Sequence, residues 1–312
     1  MWRRGVASVK SGRVTLRGLM RVEPKVYLDY TQAELDRAYD QPAWAPNRAE
    51  LVAWFTAESA RVRAARPYLA SQRYGELADE TLDVFTPERS ASGGLAPIQV
   101  HIHGGRWALF TKDESSFIAE PLCDAGIACV VPDFSQIPKV RIPEMIEQLR
   151  RAIAWVYRNA AGFGADPERI HVSGRSSGAH LACTLALTDW PALGLPRDVI
   201  KSLLLVSGSY DMRPVMLSAR GNYVHLSDEE VLALSPVLHA SRLEMPITLA
   251  YGTRETPEFQ RHPVALAQAL RAAGREVKLM RIEGVNHFEC QKLMGDGGSE
   301  IGRAMRELTL AS

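Results

Sequence analysis

A chain of 312 residues with 46% hydrophobic and 23% charged residues is long and apolar enough to bury the core of one large α/β domain. Its formal net charge of +1 gives no electrostatic ground for nucleic acid or an anionic membrane as the main partner. No apolar run reaches the ~18 residues that span a bilayer. No G-x-G-x-x-G after a first strand and no G-x-x-x-x-G-K-[ST] is present, so no nucleotide cofactor is expected.

Residues 1–27 read as a solvated, disordered extension. Arg3, Arg4, Lys10, Arg13 and Arg17 interrupt any apolar core of a signal peptide, and Met20 is a candidate start. The remainder, 28–312, reads as a single domain. Thr31-Gln32-Ala33-Glu34 has the spacing of a capping box and opens a short helix; a longer one follows Pro42, Pro46 and Asn47 and runs through Ala65. These two helices precede the sheet and are expected to cover a face of the molecule or a pocket, simple packing being the leading reading.

From Tyr74 onward strands and helices alternate. Strands are predicted over 82–85 and 98–102, then a helix over 115–125, a strand over 128–131, a helix over 143–160 and a strand over 170–173. In the 143–160 helix Ile146, Leu149, Ile153 and Val156 share one face, with Arg150, Arg151 and Arg158 turned away. A further helix follows 173, then strands over 202–206 and 247–251, a helix over 257–273, a strand over 276–282 and a C-terminal helix. This repetition predicts a mostly parallel sheet with helices on both faces. The stretch 212–238 breaks the alternation and is expected to form a small insertion.

Chemistry-bearing residues fall at the ends of these strands. Gly174-Arg175-Ser176-Ser177-Gly178 fits the G-x-S-x-G elbow, in which a tight strand-to-helix turn raises one serine hydroxyl above the sheet. The flanking glycines stand where a Cβ would collide as strand and helix pass, which makes Ser176 the nucleophile. Five residues alone are a weak signal, but Ile170 and Val172 alternate like a strand and Ala179, Leu181, Ala182 and Leu185 repeat like a buried helix face. Upstream, His103-Gly104-Gly105-Arg106-Trp107 follows a strand and suits an oxyanion loop, with Gly104, Gly105 and the Ser177 N–H as donors.

A serine nucleophile needs a base and an acid, which in this arrangement follow it in the order acid, then histidine. His287, after the last strand, is the candidate base. Glu255, just beyond the 247–251 strand, is the first candidate acid; Glu258 and Asp211 are the alternatives. His101 and His103 alternate along a strand without a third ligand, so no metal is expected. Cys123, Cys129, Cys183 and Cys290 lack C-x-x-C spacing and sit in apolar surroundings, which predicts buried reduced thiols and a cytoplasmic location.

Several blocks together resemble the α/β-hydrolase kynurenine formamidases (arylformamidases) and the related H-G-G esterases. They are Tyr30-Thr31-Gln32, His103-Gly104-Gly105-x-Trp107, the elbow with Ala179-His180-Leu181, Ser207-Gly208-x-Tyr210-Asp211, Ser235-Pro236-Val237, Glu255-Thr256-Pro257-Glu258-Phe259 and Asn286-His287-Phe288. The resemblance implies the α/β-hydrolase fold, places the acid on Glu255, and implies hydrolysis of an N-formyl arylamine to formate and the free amine. It makes a small aromatic amide or ester the expected partner, with Arg106, Trp107, Phe110, Arg175 and Tyr210 as candidate substrate contacts. Arg106 stands where the family commonly has an aromatic residue, and Arg175 where it often has histidine. The oligomeric state is left open, a homodimer included.

Overall fold

A computed structural model describes residues 23–90 and 93–311. The expected extension over 1–27 thus lies outside the described residues up to position 22, Met20 included; beyond it Tyr27 pairs with Tyr30 in an isolated bridge. Helix α1 (Gln32–Ala38) begins at Thr31 with the capping box that its spacing predicts, and α2 (Arg48–Ala65) follows. Then come β1 (Tyr68–Arg73), β2 (Thr81–Phe85), β3 (Ala96–Ile102), α3 (Ala119–Asp124), β4 (Ala128–Pro132), α4 (Ile142–Asn159), β5 (Ala165–Arg175) and α5 (Ser177–Leu185). The second half holds β6 (Ile200–Val206), α6 (Met212–Leu217), α7 (Asp228–Ala233), β7 (Ile247–Gly252), α8 (Pro257–Ala272), β8 (Val277–Ile282), α9 (His287–Met294) and α10 (Glu300–Leu310).

All eight strands join one sheet in the order β1-β2-β4-β3-β5-β6-β7-β8. β2 is antiparallel to both its neighbours, and the run from β4 to β8 is parallel. Because successive side chains of a strand point to opposite faces, the apolar residues divide between two cores. Val100, Val130, Val172, Leu203 and Leu249 pack with α4, α5 and α8 on one side. Cys129, Val131, Leu204, Val206 and Ala250 pack with α2, α3, α9 and α10 on the other. Covered on both faces, the central strands are largely buried and mostly apolar, with Gln99, His101, His171, Ser173 and Ser202 as buried polar exceptions.

Three expectations are corrected. Strand β1 was not foreseen: its edge position leaves Leu69, Ala70 and Ser71 exposed, and a register shift between Leu69 and Gln72 removes the alternation that marks a half-buried strand. The single C-terminal helix is two, because the chain turns through Asp296-Gly297-Gly298 before Ser299 caps α10 by accepting the Gly302 N–H. Only 119–124 of the 115–125 helix is α-helical, the turns before it being 3-10. The 212–238 stretch forms the short helices α6 and α7 between β6 and β7. Among the described residues no helix is long and apolar enough to cross a membrane.

Candidate active site

Ser176 sits at the C-terminal edge of β5 with φ 56° and ψ −123°, a conformation that L side chains rarely adopt. The strain is held from three sides. Its own N–H donates to the Val206 carbonyl at 2.8 Å; a Cβ on Gly174 would overlap the Gly178 backbone; a Cβ on Gly178 would overlap the Ile102 carbonyl. The hydroxyl lies 3.0 Å from His287 Nε2.

His287 is the first residue of α9. Asn286 before it accepts from the Phe288 and Glu289 amides, and Asn47 ties the loop to the start of α2 by bonding both Asn286 and Glu289. The other ring nitrogen, Nδ1, is 2.6 Å from Glu255 Oε2. Glu255 is fully buried in the turn between β7 and α8, and its Oε1 accepts from Gly252 N–H at 2.8 Å and Ser207 Oγ at 2.6 Å. Its carboxylate is therefore fixed from one side and aimed at the imidazole from the other. The two alternative acids are engaged elsewhere. Glu258 takes the Arg261 guanidinium on both oxygens at 2.8 Å and the Tyr39 hydroxyl; Asp211 caps α6 through the Arg213 N–H and accepts from the Tyr27 hydroxyl.

The glycine loop reaches the serine from β3. A Cβ on Gly104 would stand 3.1 Å from Ser176 Cβ, and Gly105, Arg106 and Trp107 all adopt positive φ. The Trp107 N–H is taken by Ser177 Oγ at 3.2 Å. The amides of Gly104, Gly105 and Ser177 have no protein acceptor among the described residues. Gly104 packs against Ser176, Gly105 lines the cleft in front of it, and Ser177 follows it in the chain. His103, stacked on Phe134 at 4.5 Å, and His101, 3.0 Å from Ser173 Oγ, support the loop from within the core.

A cleft of about 360 Å³, its open mouth included, lies in front of Ser176 and His287. Of the candidate substrate contacts, Arg106, Phe110 and Arg175 line it, together with Gly105 of the glycine loop. Trp107 and Tyr210 do not, which corrects their assignment. Trp107 is buried, with its indole N–H donating to His180 Nδ1 at 3.3 Å, and Tyr210 is fully buried in the space that the missing Cβ of Gly208 leaves. The sequence reading also missed residues. Gln41 and Pro42 between the first two helices, Arg48 of α2, Arg220 and Phe288 line the cleft, and Ser207 bonds Glu255. Ser207 had one visible signal, its place in the Ser-Gly-x-Tyr-Asp block.

Burial pushes the His287 pKa down to about 4, with Arg175 adding to the effect and Glu255 opposing it. Burial likewise lowers His101 to about 3, His171 and His180 to about 4 and His262 well below the usual range. Each folded-state value lies below that of the unfolded chain, so protons go first to the unfolded state: stability is full above pH ~6.5 and is lost as pH falls toward ~4. The folded state therefore loses stability progressively as pH falls below ~6.5. The expected result is a cooperative acid unfolding below pH ~6.5 by circular dichroism, with kcat/KM on a neutral substrate flat from pH ~8 down to the unfolding midpoint. A bend in kcat/KM near pH ~6.5 while the fold is intact would contradict the lowered His287 pKa.

Comparison with known proteins bears on what this arrangement serves. The BD-FAE family matches residues 82–193. A protein named kynurenine formamidase from Danio rerio is 31% identical over 267 residues, covering 82% of this chain and 88% of its own length. Another of that name from Salmo salar is 27% identical over 292 residues, covering 90% and 97%. Among solved structures, a candidate thioesterase from Silicibacter sp. superposes with a TM-score of 0.76 at 25% identity, covering 87% of this chain and 98% of that one.

Proposed function

The chain belongs to the kynurenine formamidase family of α/β-hydrolases, related to esterases, and from that premise we propose that it hydrolyses the amide bond of an N-formyl or N-acyl arylamine through an acyl-enzyme on Ser176. The observation that supports this reading most is the continuous relay from Ser176 Oγ to His287 Nε2 at 3.0 Å and from His287 Nδ1 to Glu255 Oε2 at 2.6 Å.

In the proposed reaction Ser176 Oγ attacks the carbonyl carbon while its proton passes to His287 Nε2. Glu255, holding the Nδ1 proton, keeps Nε2 free to accept and stabilises the imidazolium that forms. The Gly104, Gly105 and Ser177 amides take the oxyanion. As the intermediate collapses, the C–N bond breaks and His287 returns the proton to the departing amine, leaving an acyl ester on Ser176. Water, deprotonated by the same histidine, then releases the acid. The buried, lowered-pKa imidazole suits this cycle because it starts neutral across the physiological range.

A second reading, carboxylesterase or carbamate hydrolase, is kept by the likeness to a candidate thioesterase. Both use the same relay, and the leaving group separates them. In a kinetic panel of N-formylkynurenine, other N-acyl anilides, aryl carbamates and short p-nitrophenyl esters, turnover of an N-formyl aryl amide is the expected result. Turnover confined to the esters would select the second reading.

A further inference from the structure

The cleft in front of Ser176 is walled by arginine. Arg48 of α2, Arg106 of the glycine loop, Arg175 before Ser176 and Arg220 of the 3-10 turn Ala219–Asn222 all line it, and among the described residues no carboxylate does. These four come from segments far apart in sequence, so their meeting is a property of the fold. Elsewhere the chain pairs its arginines with acids, as Arg63 with Asp83, Arg151 with Glu80 and Arg261 with Glu258. Among the described residues none of the four cleft arginines has a carboxylate within ion-pairing distance.

What holds them in place is not an ion pair, although the Glu255 carboxylate attracts Arg175 and that of Asp40 attracts Arg220 from beyond ion-pairing distance. Arg175 is 2% exposed; one Nη donates to the His287 carbonyl at 2.8 Å, and its buried Nε has no partner. Arg220 is 5% exposed and donates to the Tyr39 carbonyl at 2.9 Å, with its guanidinium 5.3 Å from the Tyr39 ring and 5.2 Å from that of Phe259. Arg48 and Arg175 flank the Phe288 ring at 5.6 and 5.0 Å, and the Arg48 Nε is also buried without a partner. Carbonyls and ring faces orient a guanidinium without neutralising it. Four like charges around one cavity are costly by themselves, and an anion among them would remove that cost while accepting forked N–H donors.

We infer that the cleft takes a substrate carrying a carboxylate or comparable anionic group beside the scissile acyl bond, so that the substrate class is an N-acyl aminobenzoate or a similar anionic aryl amide or ester. This rests on the reading of Ser176 as nucleophile, and it fixes which half of the aryl-amide class the site serves. It also assigns work to the two arginines that replace the family's usual residues at 106 and 175. A bound anion would offset the positive field of Arg175 and Arg220 at His287, raising the base's proton affinity when it must accept the serine proton.

The test pairs substrates that differ by one carboxylate. With the full chain, kcat/KM for the 2- and 3-formamidobenzoates is compared with that for formanilide, in the wild type and in Arg48→Gln and Arg106→Gln. Charge-assisted bonds of ordinary strength predict a preference of about tenfold to hundredfold for the better carboxylate isomer, and a fall in that ratio of about tenfold in each variant. Both isomers equal to or poorer than formanilide would overturn the inference. If no compound in the set is turned over, the N-formyl aryl amide reading fails, and calorimetry still decides the anion site. Benzoate binding about tenfold tighter than benzamide supports it, and equal binding overturns it.

Discussion

Ser176→Ala is expected to lower kcat by about 10⁵-fold or more, leaving only what the oxyanion donors and substrate binding achieve without a nucleophile. The expectation follows from the different partners of the two adjacent serines. Ser177 Oγ is committed to accepting the Trp107 N–H at 3.2 Å, whereas Ser176 Oγ is 3.0 Å from an imidazole nitrogen. His287→Ala should cost nearly as much, and the double variant little more than either single one, because base and nucleophile act as a unit. Single-turnover and steady-state rates on the best aryl amide of the panel measure this. A Ser176→Ala protein within about tenfold of wild type would mean that water, not the serine, attacks.

The second large effect concerns the acid. Glu255→Gln is expected to lower kcat by about 10⁴-fold, an effect expressed through the histidine tautomer. Oε1 of Glu255 receives three donors, the Gly252 N–H, the Ser207 hydroxyl and the Cys290 thiol at 3.6 Å, and the backbone N–H can only donate. The glutamine must therefore keep its carbonyl oxygen on that side and turn its NH₂ toward His287 Nδ1, 2.6 Å away in the wild type. Nδ1 is then forced to accept, the ring proton moves to Nε2, and Nε2 can no longer take the serine proton. Glu258→Gln and Asp211→Asn touch the Arg261 pair and the α6 cap instead, so they should shift thermal stability while kcat stays within about tenfold. Loss of kcat in Asp211→Asn with retention in Glu255→Gln would show that a different acid serves the base.

Features set by local spacing were legible in the sequence. The capping box at Thr31, the apolar face of α4 and the mostly parallel sheet follow from residue periodicity, and the glycines of the elbow follow from close backbone approach. The juxtaposition of Ser176, Glu255 and His287 was approachable because strand order restricts which loops meet at one sheet edge. Burial decided what the sequence could not. Trp107 and Tyr210 looked like ring contacts because they sit in site motifs, yet both complete the core beneath the cleft. Arg48 reads as the solvated side of a helix and Arg220 as part of an insertion; only the fold brings them within reach of Ser176. Strand β1 escaped because a bulged edge strand has little reason to alternate.

Covalent capture of the nucleophile tests the central claim most directly. After incubation of the full chain with a fluorophosphonate, intact-mass and peptide mapping should find one adduct, on Ser176, with Ser177 unmodified and no adduct on Ser176→Ala. Protein that stays unmodified at saturating reagent while it hydrolyses substrate, or that loses activity through an adduct at another residue, would contradict the assignment of Ser176 as the residue that carries the acyl group.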